Sequence, residues 1–326
     1  MQATKSISRT RPLSAADLEP VIAIDKAASG VSRRGYFEKR LKAATDNPRD
    51  YVFVGAFEEE ALSGFAFAKI NQGEFGKPGW NASLDAIGVQ QKHGLHGVGK
   101  QLLNEVEKIL RHKGVALLTS QLDWAQWNVL SFLAHEGFGP APRVILTRNT
   151  AALRQILEDA EEKAEIDYSS PVGDSQNALS RDRIPVRTME ESDLAKIISI
   201  DAANYGSRRQ DYFARKQEEN LNQSGVRVSL VAERDGFPIG FIMARVDFGE
   251  FGRASAEAVM DTVGVDPGFQ NDGVGHALMA TLIMNLQSLQ VESVRTEIDW
   301  NDTNLIGYLG AMGFAPAQRI PLQRQL

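Results

Sequence analysis

The chain contains no cysteine, which excludes a disulfide framework, a thiolate nucleophile and a Cys-ligated metal. No apolar run approaches the length that spans a bilayer. The first residues, MQATKSISRTRP, lack the apolar core of a secretion signal. A cytoplasmic protein without a membrane partner is the expectation. Positive charge is also short, with 36 Lys and Arg against 42 Asp and Glu for a net charge of −6. The cations are dispersed, so no nucleic-acid partner is indicated. The five histidines, His93, His96, His112, His135 and His276, form no pair of the zincin type on one helix face, and no metal is expected.

What is present is length and self-similarity. The 326 residues, 43% of them apolar, suffice for two domains of ordinary size. The chain matches itself at a constant offset of 176 residues, as from Asp85 to Asp261. Gly88-Val89 recurs as Gly264-Val265, and Gly97-Val98-Gly99 as Gly273-Val274-Gly275. Asp123-Trp124 returns as Asp299-Trp300, Asn128 as Asn304, Gly137-Phe138 as Gly313-Phe314, and Arg143 as Arg319. Upstream, Asp25, Phe37 and Gly64-Phe65 correspond to Asp201, Phe213 and Gly240-Phe241, and GEFG occurs at Gly73 and Gly249. A unit this long exceeds any solenoid repeat, so each copy reads as a domain.

Each copy has the same coarse pattern. A short strand and a helix open it, with Ser14 and Asp17, or Thr188 and Glu191, as capping-box pairs. A second helix follows, then two alternating runs that read as a hairpin: Tyr51–Phe57 with Gly64–Ile70, and Val228–Glu233 with Gly240–Val246. A third strand leads into a Gly-rich turn and a long helix. A strand ending at Trp124 or Trp300, a helix ending at Gly-Phe, and a short strand near Arg143 or Arg319 complete the copy. This order predicts a mixed sheet with helices on both faces. Between the copies, Ala151–Ala164 has a helical pattern and Asp167–Arg183 reads as a flexible linker.

The turn from Val265 to Leu278, VDPGFQNDGVGHAL, lies between a strand and a helix. Free N–H groups and the helix dipole there favour an anion such as a pyrophosphate. A P-loop would need Lys and then Ser or Thr after its last Gly, where His276 and Ala277 stand. A dinucleotide fingerprint would need a third Gly where Leu278 stands. Val265, Gln270, Gly273 and Gly275 instead resemble the acetyl-coenzyme A loop of the GNAT superfamily of N-acyltransferases. Asn304, followed by a helix ending in Gly313-Phe314, resembles its second motif.

The resemblance covers nearly the whole chain and implies an α/β (α+β) fold of two tandem GNAT domains, 1–149 and 184–326, joined by a helix and linker over 150–183. Each would be a mixed, mostly antiparallel sheet with helices on both faces. An unrelated α+β ligand-binding repeat is the other reading. Length and tandem arrangement look similar to mycothiol synthases, whose acceptor is not carried over because the match lies in acyl-CoA motifs.

The implied cofactor is acetyl-CoA, with no metal, and the implied reaction is acetyl transfer to a primary amine of a small molecule or peptide. A non-catalytic acyl-CoA sensor and a protein-lysine acetyltransferase are the alternatives. In the family the strand before the loop bends from its neighbour to admit the pantetheine. Gly88 and Gly264 suit such a bend. The implied coenzyme residues are Val263, Gly264, Val265, Gln270, Asn271, Asp272, Gly273, Val274, Gly275 and Asn304 in copy two. In copy one, whose loop is altered by Gly94 at the position of Gln270, they are Val89, Gly94, Leu95, His96, Gly97, Val98 and Gly99. Copy two is therefore expected to be catalytic and copy one degenerate.

Leu309 and Leu133 occupy the place where the family often has a Tyr acid, which leaves Tyr308, against Phe132 in copy one, as the candidate acid or sulfur contact. Asp261, read on one strand face with Val259, Val263 and Val265, and Glu297, against Gln121 in copy one, are the candidate bases. Asn304 and Asn128 read as N-caps that also lie near the coenzyme. Asp299-Trp300 and Asp123-Trp124 read as structural, the Asp meeting N–H groups and the Trp packing. Ser32-Arg33-Arg34 and Ser207-Arg208-Arg209 stand where the family often lines the acceptor site, as an anion clamp or as solvated charge.

Overall fold

The structure, a computed structural model, describes residues 9–72, 79–91, 97–150, 184–218, 228–248, 251 and 256–326. The interdomain helix and linker read at 151–183, the GEFG turns apart from Phe251, and His93, Gly94, Leu95 and His96 lie outside the described residues. The chain forms two compact units. Unit one is Met1–Arg143, Phe248–Ser255 and Gln318–Leu326, and unit two is Val144–Asp247 and Ala256–Ala317.

Unit one contains β1 (Arg9–Pro12), α1 (Leu18–Ser29), α2 (Arg34–Asp46), β2 (Tyr51–Glu58), β3 (Ala61–Gln72), β4 (Trp80–Val89), α3 (Val98–His112), β5 (Leu117–Asp123), α4 (Trp127–His135) and β6 (Gly139–Pro140). Unit two contains β7 (Arg143–Asn149), which begins one residue before it, β8 (Val186–Thr188), α5 (Leu194–Tyr205), α6 (Gln210–Glu218), β9 (Leu230–Arg234), β10 (Phe237–Phe248), β11 (Ala256–Val265), α7 (Val274–Ser288), β12 (Ser293–Asp299), α8 (Thr303–Ala311) and β13 (Ala315–Pro316). The last strand, β14 (Arg319–Gln325), belongs to unit one. The sheet orders are β1-β2-β3-β4-β5-β14-β6 and β13-β7-β12-β11-β10-β9-β8. Both are mixed sheets, parallel at β4/β5 and β11/β12 and antiparallel at the other described pairings.

The order is the same in both sheets, but the final strand of each copy is not in the sheet of its own copy. β14 pairs antiparallel with β5 from Arg319↔Asp123 to Gln325↔Leu117, and β7 lies beside β12. The repeat could not reveal this, because RVILTRN and RIPLQRQ are equivalent strands and offer the same alternation to either edge. The compact units thus differ from the boundaries 1–149 and 184–326 at their last strands.

Each sheet separates two cores. The periodic face of α3, with Leu102, Leu103, Val106 and Leu110, packs on Val54, Ala66 and Leu84, while Phe37 of α2 lies among Phe65, Phe67 and Phe53 on the opposite face. Unit two repeats this with Leu278, Leu282 and Leu286 on one face and Phe213 with Phe241 on the other. Ser14 N–H donates to Asp17 (2.8 Å), as its capping-box spacing predicts. The second box is displaced from the expected Thr188 and Glu191: Glu190 N–H donates to Asp193 (2.8 Å), the pair that stands 176 residues after Ser14 and Asp17. Among the described residues no helix is long and apolar enough to cross a membrane, and no carboxylate or imidazole group is arranged to hold a metal.

Candidate active site

In unit two the parallel pairing of β11 with β12 consists of Ala258↔Val294 and Val259↔Arg295, although both strands run on for several residues. In unit one β4 and β5 part after Ser83↔Thr119. Hydroxyls take the backbone acceptors at each fork: Thr296 Oγ1 donates to Met260 O (3.0 Å), and Ser120 Oγ to Leu84 O (2.9 Å). A side-chain donor in place of a ladder bond lets the strands diverge without leaving a buried carbonyl unpaired.

The fork of unit two opens into a cavity of about 1050 Å³. One wall is Val263–Val265, the floor is Phe269–His276, and Asp302, Asn304, Leu305 and Tyr308 of the α8 region stand opposite, with Asn204 and Tyr205 at the rim. All ten residues expected to hold the coenzyme in copy two line this one cavity.

The floor is built by local chemistry. Gly268 N–H donates to Asp266 (3.1 Å), and Lys196 Nζ, 3.0 Å from the same carboxylate, holds that carboxyl below its ordinary range. Asn271 and Gly273 take φ of 67° and 85°, the left-handed region that turns the chain into α7. The first intrahelical bond is Ala277 N–H to Gly273 O (3.0 Å), so the N–H groups of Val274, Gly275 and His276 precede the helix ladder in residues that line the cavity. No Lys or Arg is among those lining residues. An anion here would be met by backbone dipoles.

Three glycines bring side chains against the backbone. A Cβ at Gly264 would lie 2.7 Å from the Phe241 ring, and at Gly88 2.7 Å from Phe65, so ring packing is the constraint behind the expected bend. A Cβ at Gly275 would lie 3.0 Å from Tyr308 Cε2.

A family model described as the acetyltransferase (GNAT) family matches residues 21–128 and 194–314. The chain belongs to the GNAT family of acetyltransferases. It is therefore an N-acetyltransferase, and GNAT acetyltransferases use acetyl-CoA. A curated mycothiol acetyltransferase from Sanguibacter keddieii is 26% identical over 94% of this chain and 93% of its own length. Among solved structures, a tandem GNAT protein from the clavulanic acid biosynthesis pathway has a TM-score of 0.63 at 14% identity, covering 98% of both chains. The GCN5-related glucosamine N-acetyltransferase region of a fungal multi-domain GH3 β-N-acetylglucosaminidase has a TM-score of 0.67 at 13% identity. It covers 98% of this chain, which spans 38% of that protein. At such identities the structures speak for the fold.

Within this GNAT framework the candidate bases separate. Asp261 does not share a face with Val263 and Val265. In unit one Phe67↔Ala86 and Ala68↔Leu84 leave Asp85 as the extra residue of a β-bulge, and a bulge reverses the parity of everything beyond it. The same break is visible in unit two, where Ala258 and Met260, then Val263 and Val265, pack into one core. Asp261 instead meets Lys216 Nζ at 3.0 Å and Arg245 Nε at 3.4 Å, with its side chain 5% exposed. Asp85 is paired likewise, accepting from Ser83 Oγ (2.7 Å) and lying 3.6 Å from Arg40. Glu297 is half-buried on β12 beyond the last β11 pair. Neither carboxylate lines the cavity. Tyr308 does, and its hydroxyl donates to Gly275 O at 2.8 Å. Burial pushes the Tyr308 phenol up, and the nearby Arg148 guanidinium partly offsets this.

Other expectations are corrected. Arg33 and Arg209 are not free to clamp an acceptor: Arg33 Nε donates to buried Asp25 (2.9 Å) and Arg209 Nε to buried Asp201 (2.9 Å). Arg34 pairs with Glu19 and Glu38, while Arg208 is exposed. Asn304 is not the N-cap of α8, because Asp302 already accepts from Leu305 N–H (3.1 Å), and the N-cap of α4 is Gln126, not Asn128. Asp299 does meet the Asn301 N–H (3.0 Å), but Trp300 and Trp124 are exposed rather than packed.

In unit one the described part of the loop keeps the helix start. Gly97 has φ of 79°, Gln101 N–H donates to Gly97 O (3.0 Å), Val98 is buried, and a Cβ at Gly99 would lie 3.2 Å from Phe132. Val89 packs against the same core. Sequence reasoning missed Asn204, Tyr205, Phe269 and Asp302. Burial and the charge of Asp302 raise the Tyr205 phenol above its ordinary value. The available signal was a difference between copies, since the counterparts are Ala28, Ser29, His93 and Gln126.

Proposed function

We propose that the chain moves an acetyl group from acetyl-CoA to a primary amine of a small molecule or peptide, with catalysis in unit two. The observation that carries this is the cavity at the β11/β12 fork, where glycine-rich backbone and a helix start meet the part of β11 beyond its last pair with β12. When bound, acetyl-CoA supplies the activated acetyl thioester. Helix-start N–H groups of Val274, Gly275 and His276 would hold the pyrophosphate charge, and the backbone of Val263–Val265 would pair with the pantetheine as an added strand does.

Of the candidate bases, Glu297 fits proton uptake better than Asp261. Asp261 is engaged by Lys216 and Arg245, and the pairing of Asp85 in unit one is served by the same kind of partner. Glu297 would take the amine proton through water, since it does not line the cavity.

Tyr308 fits the geometry of a brace. Its proton is engaged by Gly275 O, and a phenol pushed above its ordinary value is a weak donor to a thiolate. Tyr308→Phe is expected to weaken acetyl-CoA binding about fivefold, the effect of one hydrogen bond. A loss of kcat in the range of about 10²–10⁴ would instead make Tyr308 the general acid.

The lack of Tyr at positions 309 and 133, together with this engaged hydroxyl, favours one second reading: an acyl-CoA sensor without turnover. Calorimetry of acetyl-CoA with the full chain, followed by thiol release on a panel of small amines and lysine peptides, separates the two. Binding with amine-dependent thiol release is the expected result. Binding without release from any acceptor would leave the sensor, and no binding would overturn both.

A further inference from the structure

Asn204 stands in the last turn of α5 and joins three segments through one amide. Its Nδ2 donates to Ile200 O (2.9 Å) and to Val265 O (3.0 Å), and its Oδ1 accepts from Gln270 Nε2 (2.8 Å). Gln270 also reaches Val265 O, at 3.4 Å. Both side chains are exposed, where an unrestrained glutamine would sample many rotamers in water. Here the pair ties the helix, the end of β11 and the loop together immediately before Asn271 and Gly273 adopt left-handed backbone.

The two copies supply an internal comparison. Ala28 stands at the position of Asn204 and Gly94 at the position of Gln270, so both partners are missing together. Three residues earlier the copies agree, since Asp25 and Asp201 each hold an arginine. Two side chains that bond each other in unit two are thus absent together from copy one, alongside the neighbouring changes at Tyr205, Phe269 and Asn271, and the bond is one of the things gained or lost with them.

We propose that Asn204 is a positioning residue that presets the phosphate loop for the coenzyme by holding Gln270 and the end of β11. The inference rests on the reading of that loop as the acetyl-CoA site. The physical gain is entropic. With Gln270 anchored at one end and the Gly273–Ala277 bond at the other, the intervening turn is ordered before the ligand arrives. An unanchored turn would have to be ordered by the ligand, at a cost in affinity.

The test is a double-mutant cycle on the full chain with acetyl-CoA as the probe: Asn204→Ala, Gln270→Ala and both together, read by calorimetry, thermal unfolding and amide exchange of Asn271–Gly273. Each single variant is expected to raise Kd about tenfold, and the double variant no further than about twofold beyond either. Amide exchange in the loop should quicken while the thermal transition stays in place. Exchange and non-additivity are readouts that a general loss of stability would not produce. A Kd within about twofold of wild type for Asn204→Ala, or single effects that multiply to about a hundredfold in the double variant, would overturn the proposal. If wild type binds and only the cycle fails, the loop assignment survives without Asn204. If wild type binds no acetyl-CoA, the loop reading fails and this inference with it.

Discussion

Removing Gln318–Leu326 is expected to unfold unit one, whose first residue lies at the other end of the chain, while unit two keeps its own transition. β14 is an interior strand, hydrogen-bonded to β5 on one side and β6 on the other. Its deletion strips β5 of a ladder running from Asp123 to Leu117. It also uncovers a core, since Leu322 is buried and Ile320 and Leu326 pack against the same cluster. Losing a buried leucine of this kind costs roughly 2–3 kcal/mol before any cavity contribution.

The larger effect is electrostatic. Arg324 Nη1 lies 2.7 Å from Glu107, a carboxylate on the buried side of α3, and the same guanidinium donates to Glu136 O. Without it Glu107 is left with Arg111 at 3.7 Å. Leaving a buried charge short of its partner costs about 3–5 kcal/mol. Together with the leucine and the ladder, this approaches the 5–15 kcal/mol that holds a domain folded. Calorimetry with amide exchange over Leu117–Asp123 reads the outcome, and Leu322→Ala gives a graded version of the loss. Unchanged protection of β5 in the deleted chain would show that β14 is dispensable to unit one.

That dependence also marks how far the fold was legible. The offset of 176 residues, the Gly turns and the hairpin alternation lead to two mixed sheets with helices on both faces, because local patterning determines local structure. Which copy supplies each final strand was hidden by the repeat itself, since a strand that fits one edge fits the other. The parity of Asp261 was hidden by a bulge, which strict alternation cannot anticipate. The Gly-rich turn before α7 was legible because its glycines answer backbone demands. Asn204, Tyr205 and Asp302 were not, because polar residues at helix ends read as solvated caps until three-dimensional proximity gives them partners.

The loop carries the second large effect. Gly273→Val with Gly275→Val is expected to raise the Kd for acetyl-CoA more than about a hundredfold, or roughly 3 kcal/mol. Gly273 holds φ of 85°, where a β-branched residue is forbidden by its own backbone, so the turn would have to re-form before α7 starts. At Gly275 the new Cβ would approach Tyr308 Cε2 to 3.0 Å and its hydroxyl to 3.2 Å, displacing the ring from its bond to Gly275 O and filling the floor of the cavity. Gly275→Ala adds a single methyl against the same ring and is expected to cost about tenfold. Because Gly273 stands at the start of α7 and Gly275 meets Tyr308 at the border of the core, the transition of unit two should fall by a few degrees and remain cooperative. The stoichiometry then decides between the copies. Loss of all binding ties the coenzyme to unit two. A full remaining site would belong to unit one, where Gly97 and Gly99 keep the helix start, and catalysis would have to be sought there.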